Sequence, residues 1–319
     1  MKHLKEVNDI MKNASFKTLL ILASILAFAA PVPAFMSKSD VGTSTAQFLK
    51  LGMGGQANAM GEAVTALVND STAICWNPAG LNGIGNGHVS LMHCVYLDGM
   101  FYDYATAAML VEDAGVIGIG FQYFNAGTIT GIEEDGSLTG DFTPNDLSIA
   151  LSYATKLFSV PVGINAKYIS STIQNTATAV AFDIGTQYSF LDQKLFLGMV
   201  LQNLGTKIKY DQESENLPLN LRIGAGYKII ENLIVEVDAS LPNDNTIIIG
   251  AGSELGLSVS DDLKFSLRAG YNTRTADISG FKGLSCGAGI NVNSLGFDYA
   301  LVPFGDLGLT HRISVSAKL

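Results

Sequence analysis

Residues 307–319 read LGLTHRISVSAKL, and from Leu307 every second residue is apolar except His311. The other row is Gly308, Thr310, Arg312, Ser314, Ser316 and Lys318. A period of two belongs to an extended strand whose side chains point alternately to two faces. One face of this strand suits an apolar medium and the other suits water. The alternation runs through Leu319, as the closing strand of an outer-membrane barrel does.

The same texture recurs upstream. Leu263, Phe265, Leu267, Ala269 and Tyr271 alternate with Lys264, Ser266, Arg268, Gly270 and Asn272. Leu219, Leu221, Ile223, Ala225 and Tyr227 alternate with Asn220, Arg222, Gly224, Gly226 and Lys228, and Leu233, Val235, Val237 and Ala239 with Ile234, Glu236, Asp238 and Ser240. The pattern predicts strands over 87–97, 100–112, 114–126, 145–157, 159–172, 179–191, 194–206, 218–230, 232–241, 245–257, 262–273, 280–292, 294–303 and 307–319. That is an even number, each near the length a tilted membrane strand needs. Tyr153, Tyr227 and Tyr271 fall near strand ends on the apolar row, where interfacial aromatics belong.

The connections sort by parity. Asp113, Phe158, Asp192-Gln193, Glu231, 258–261 and Asn293 are short, whereas 127–144, 173–178, 207–217 and 274–279 on the other side are longer; the 98–99 turn departs from the rule. Short periplasmic turns and longer outer loops are the habit of outer-membrane barrels, so the parity predicts that both termini are periplasmic. A sheet in hydrocarbon must close on itself because every backbone N–H and C=O needs an internal partner. The expected fold is therefore all-β: a transmembrane antiparallel barrel of about 14 strands, with apolar residues toward outer-membrane lipid. The inward row mixes signs (Lys167, Asp183, Arg222, Lys228, Glu236, Asp238, Lys264, Arg268, Asp298 and Arg312), which reads as ion pairing across the interior.

Composition agrees. Charged residues make up 15% of the 319, against about 25% in a typical soluble domain, and 29 acids outnumber 19 Lys and Arg. An acidic chain lacks the basic footprint of nucleic-acid binding. Cys75, Cys94 and Cys286 show neither metal-ligand spacing nor an even count for disulfides. Residues 1–34 read as a signal peptide, with Lys12 and Lys17 before the apolar run 19–30 and Val32-Pro33-Ala34 at the cleavage site. An N-terminal membrane anchor is the competing reading, and Met11 is an alternative start.

Residues 35–86 are not strand-like. Within them, LGMGGQANAMGEA (51–63) matches G-x-G-x-x-A at Gly52, Gly54 and Ala57, with Asp70 placed like a ribose-binding acid. That fingerprint needs a parallel βαβ unit around it. Antiparallel strands follow instead, so the glycines read as close-packing positions and Asp70 as a cap for 71–75. Small residues with interspersed apolar ones, ahead of a barrel wide enough to have a lumen, predict a plug at 35–86 and a barrel domain at 87–319.

The stretches GTSTAQFLKLGMGGQANAMGEA (42–63), NDSTAICWNPAGL (69–81) and PFGDLGLTHRISVSAKL (303–319) resemble PorV/PorQ-type outer-membrane proteins, relatives of the FadL/TodX hydrophobic-compound transporters. The resemblance implies fourteen strands with an N-terminal hatch in the lumen. It makes Gly52, Gly54, Gly55, Gly61, Asn77, Pro78, Ala79 and Gly80 the plug motif. Two functions follow from it. One is assistance to protein secretion of the type IX kind, in which outer loops receive exported cargo or machinery subunits; Glu133, Glu134, Asp135, Asp211, Glu213 and Glu215 are the docking candidates. The other is passive transport of small hydrophobic molecules past a pocket lined by Phe48, Leu51, Met53, Met60 and Trp76. Catalysis is not expected. An outer-membrane lipase needs Ser, His and an orienting acid or amide in reach, and His88 with Ser90 gives at most a dyad, while His93 lies on the opposite face of the sheet from His88 and His311 on the lipid row of the last strand. No cofactor and no metal are expected.

Overall fold

A computed structural model of the chain describes residues 41–276, 280 and 282–319. The signal-peptide reading of 1–34 and the start of the plug at 35 lie outside the described residues. The strands are β1 (Gly87–Val95), β2 (Phe101–Val111), β3 (Gly115–Asn125), β4 (Ile129–Ile132), β5 (Leu138–Phe142), β6 (Asn145–Leu157), β7 (Val160–Thr172), β8 (Thr176–Phe190) and β9 (Leu195–Gly205). They continue as β10 (Ile208–Lys209), β11 (Ser214–Glu215), β12 (Asn220–Ile230), β13 (Leu233–Pro242), β14 (Ile248–Ser258), β15 (Leu263–Asn272), β16 (Leu284–Val292), β17 (Leu295–Pro303) and β18 (Leu309–Lys318). Fourteen of them close into an antiparallel barrel in which β18 pairs with β1. Each expected strand is present within a few residues of its expected ends. The exceptions in number are two small hairpins, β4–β5 and β10–β11, which stand inside the long connections rather than in the wall.

The two rows separate by burial. Leu309, Ile313 and Val315 are exposed on the outside, and Thr310, Arg312 and Ser314 are buried inside. Tyr153 and Tyr227 stand exposed toward the short-turn rim and Tyr271 toward the long-loop rim, as girdle residues at two water interfaces. Leu219 and Leu221 differ from expectation. They hold the parity opposite Arg222 but are buried with Met199 and Leu201, against Ile184 and Leu241. Leu221 is paired with Leu201 on one side and Leu241 on the other, so leucines of three strands cover one another. Next to this patch β9 carries a bulge. Phe182 pairs with Leu204 but Ile184 with Leu201, and Asn203 takes a left-handed φ of 61°. The extra residue turns both Gln202 and Asn203 toward buried polar partners.

Residues 41–86 pack against the inward row. They contain a 3-10 turn (Gln47–Lys50), two short α-helices (Gly55–Ala59 and Ala73–Trp76) and a 3-10 stretch (Pro78–Gly83). Asp70 accepts from the Thr72 backbone N–H at 2.8 Å, so the cap expected before residue 71 is a local turn and the helix begins later, at Ala73. Burial supplies the adhesion. Ile74, Trp76, Leu81, Val64 and Val68 pack on Ala108, Val116, Ala150 and Ala154 of the wall, at about 1.5–3 kcal/mol for each large side chain removed from water.

The segment runs from rim to rim. Ser44 bridges to Asn216, and Lys50 pairs with Asp244 at 2.5 Å, both partners lying in connections at the long-loop rim. At the other rim Leu319 N–H bonds the Gly87 carbonyl at 2.9 Å. The first described residues thus lie at the long-loop rim, and the N-terminus itself, with the expectation that it is periplasmic, lies outside the described residues. The loop parity counts strands only and cannot register a segment threaded through the barrel.

Candidate functional site

Asn77 is the centre of the contact between segment and wall. Its side chain is fully buried, donates to the Thr65 carbonyl (2.9 Å) and the Thr186 carbonyl (3.1 Å), and accepts from Ala79 N–H (3.2 Å). An amide suits this place because it donates and accepts at once. Pro78 and Ala79 run so near β7 that a Cβ at Gly163 would lie 2.3 Å from the Pro78 carbonyl carbon. Gly185, Gly198, Gly252 and Gly270 repeat the arrangement against Asn77, Thr65, Met60 and Gly61. Seen from the segment, a Cβ at Gly61 would lie 2.4 Å from the Tyr271 carbonyl oxygen and one at Gly55 3.0 Å from Asp298, both on the wall, whereas one at Gly52 would lie 2.9 Å from Trp76 and one at Gly80 2.2 Å from Val68, both within the segment itself; Gly54 takes a φ of +86°. Glycine is thus required on both sides of one interface.

Charge fixes the next turn of the segment. The Asp238 carboxylate accepts from Val64 and Thr65 N–H and from the Thr65 hydroxyl (2.6 Å), and Glu236 accepts from Ala66 N–H (2.6 Å). Arg222 answers with its ion pair to Asp238 (2.9 Å), its bond to the Glu62 carbonyl and a guanidinium 4.9 Å from the Trp76 ring centroid. Elsewhere Lys167 pairs with Asp183 (2.7 Å), and Arg268 with Glu254 (2.7 Å) and Asp298 (2.5 Å). Lys228 and Lys264 reach the half-exposed ends of the row, beside Glu231 and Glu254. The mixed inward row is mostly spent on ion pairs. Glu236 and Arg312 are the exceptions: Glu236 accepts from Ala66 N–H, and Arg312 has Tyr102 and Thr310 as its partners.

Of the five pocket candidates, Leu51, Met53 and Trp76 line one cavity. Phe48 and Met60 do not. Phe48 is buried against Ile169, Ala177, Ala179 and Ile208, and Met60 against the Trp76 group. The cavity is polar as well as apolar: Gln122, Lys167, Gln202, Asn203, Asn220 and Arg222 also face it. Sequence reasoning missed these amides, and Glu254, because Gln and Asn on an inward row look like any other polar filler. Cys75 also borders the cavity, and burial pushes its thiol up to about 12.

The outer-loop candidates stand apart from this interior. Glu133, Glu134 and Asp135 form the exposed tip of the β4–β5 hairpin, where Asp135 accepts from Ser137 N–H (2.9 Å). Asp211, Glu213 and Glu215 are exposed on the β10–β11 hairpin, with the tip acids of the two hairpins on separate connections. The His88–Ser90 dyad is not formed. His88 Nδ1 instead meets the Ser71 hydroxyl at 2.8 Å, and Ser71 is 0% exposed, so no substrate reaches it. His93 pairs with Asp103 (2.6 Å), and His311 with Tyr299 (2.7 Å). Among the described residues no group of three His, Cys, Asp or Glu could hold a metal ion.

A family model described as type IX secretion system protein PorV matches residues 36–249. No curated protein matches. Among solved structures the chain is similar to the toluene transporter TodX of Pseudomonas putida, at 12% identity and a TM-score of 0.55 over 83% of this chain and 96% of that one. The toluene transporter TbuX of Ralstonia pickettii is similar at 12% identity and TM-score 0.56 (84% and 98% covered). So is a FadL homologue of Pseudomonas aeruginosa, at 13% and 0.51 (89% and 99%). At such identities the likeness establishes the fold.

Proposed function

The chain belongs to the PorV family of outer-membrane β-barrels, and we propose that it assists protein secretion of the type IX kind, with residues 35–86 as a fixed plug and the long loops as a docking face for cargo or machinery subunits. The observation that carries this reading is the fit between segment and wall. Glycines on both sides bring backbone onto backbone, and Asn77, Asp238 and Glu236 hold the segment by hydrogen bonds. A conduit needs a part that yields. Shifting this segment exposes buried hydrogen-bonding groups at about 1–3 kcal/mol each. The plug in this reading closes the lumen to passage and the rim is the working surface, with the acidic hairpin tips exposed on it. In this reading the long-loop rim faces the outside, Leu319 is periplasmic, and the protein is not an enzyme.

The test is co-purification from native outer membranes. Exported proteins or secretion subunits should accompany the wild-type protein and be lost with Glu133→Lys, Glu134→Lys and Asp135→Lys combined; equal recovery with that variant would sink the docking assignment. The second reading, passage of small hydrophobic molecules, has one observation in its favour, the meeting of Leu51, Met53 and Trp76 at a cavity. Saturable binding of a radiolabelled alkane or fatty acid to purified protein would support it over the first.

A further inference from the structure

A second cavity lies toward the long-loop rim. Lys50, Arg274 and Arg312 line it, with Glu62, the amides Asn58 and Asn272, and the rings Tyr96 and Phe304. Two of its three cations are balanced: Lys50 by Asp244 and Arg274 by Glu62 (3.0 Å). Arg312 is not. It is 3% exposed, its Nε donates to the Tyr102 hydroxyl (2.9 Å) and its Nη1 to Thr310 Oγ1 (2.7 Å), and among the described residues no carboxylate pairs with it. Its Nη2 makes no hydrogen bond to a described residue. A guanidinium this buried is costly to leave without an anion.

We propose that this cavity binds a carboxylate-bearing ligand, with Arg312 as the group that receives the charge. The free edge of the guanidinium offers parallel N–H donors to two carboxylate oxygens. Among the described residues one positive charge is left over, which matches a monoanion better than a phosphate monoester of about −1.5 to −2 beside Glu62 and Asp244. The rings supply the rest of the recognition. Tyr96 stands edge-on to Phe304 and to Tyr102, both at 5.6 Å, and the Tyr102 hydroxyl touches Arg312. A flat or apolar body next to the carboxylate rests on this cluster. The carboxylate is borne on a free small acid or at a peptide chain end. The assignment stands independently of the secretion reading.

Titration calorimetry on the purified protein in detergent tests it with two matched pairs: benzoate against benzamide, and a tripeptide ending in Phe as free acid against its amide. At least one acid should bind tenfold or more tighter than its neutral counterpart, and Arg312→Gln should bring that acid down to its counterpart's level. Which pair responds tells a free acid from a chain end. The double variant Lys228→Gln/Glu231→Gln removes a balanced pair that does not line the cavity and should keep the preference within threefold, and Arg312→Lys, which keeps the charge without the two-pronged edge, should weaken the acid at least threefold while keeping it ahead of its amide, which tests the assignment even where Arg312→Gln does not fold. No saturable binding, equal binding of acid and amide, a preference that survives Arg312→Gln, or one lost in the double variant overturns the proposal.

Discussion

Replacing Asn77 with Ala removes the group that ties residues 65, 79 and 186 together. Two carbonyls and one N–H then lose their partners in a place without solvent. Each orphaned buried group costs about 1–3 kcal/mol, and water entering the vacated space returns part of it, so the docked segment should lose about 3 kcal/mol or more. At about 1.4 kcal/mol per tenfold, the undocked population rises by roughly a hundredfold. Cys75 reports it. With its thiol at about 12 when docked, the thiolate at pH 8 is roughly a thousandfold scarcer than on an ordinary cysteine near 8.5. In a Cys94→Ser/Cys286→Ser background, Asn77→Ala should raise the maleimide labelling rate of Cys75 at least tenfold, toward that thousandfold ceiling. The barrel's heat-modifiable gel mobility should persist. A labelling rate within twofold of the parent, in a folded barrel, would refute the view that Asn77 clamps the segment.

Gly163→Ala should raise Cys75 labelling in the same background, because its Cβ would lie 2.3 Å from Pro78, while Gly85→Ala, with open space around it, should leave the rate unchanged. Arg222→Met leaves Asp238 buried without its cation and should destabilise the barrel by about 3–5 kcal/mol, read as an earlier unfolding midpoint in urea. Burial opposes ionisation of Asp244, but hydrogen bonds from Lys50, Ser44 and Gln47 outweigh it and hold the carboxyl below its ordinary range. A carboxyl lowered by folding stabilises at pH above its unfolded value, about 3.9, and that stability is lost as pH falls through the folded value. Amide exchange over residues 44–51, corrected for intrinsic pH dependence, should therefore stay slow between pH 5 and 8 and quicken only below about pH 4.

The wall of this protein was legible because hydrocarbon enforces alternation. Lys264 and Arg268 against Phe265 and Leu267 leave one choice of face, and the short connections at Asp113, Phe158 and Asn293 fix the order of hairpins. The interior was legible only in outline. Gly163, Gly185 and Gly198 occupy inward positions that a sequence reader takes for weak strand residues, because nothing local says that Pro78, Asn77 and Thr65, 85 to 133 positions away, come against them. The bulge at Gln202–Asn203 looks like two ordinary polar residues until the β8 pairing is known. Phe48 and Met60 were grouped with Trp76 on apolarity alone, and apolarity cannot tell a cavity lining from a packed contact. The segment's direction through the barrel depends on Lys50 finding Asp244, a pairing of residues far apart in sequence.

The most direct test of the account is where exported proteins end up in cells whose only copy of this protein carries Glu133→Lys, Glu134→Lys and Asp135→Lys. Fractionation should show exported proteins retained in the periplasm, with the variant barrel present in the outer membrane at wild-type abundance. Normal delivery to the cell surface by that variant, together with saturable alkane binding by the purified wild-type protein, would contradict it.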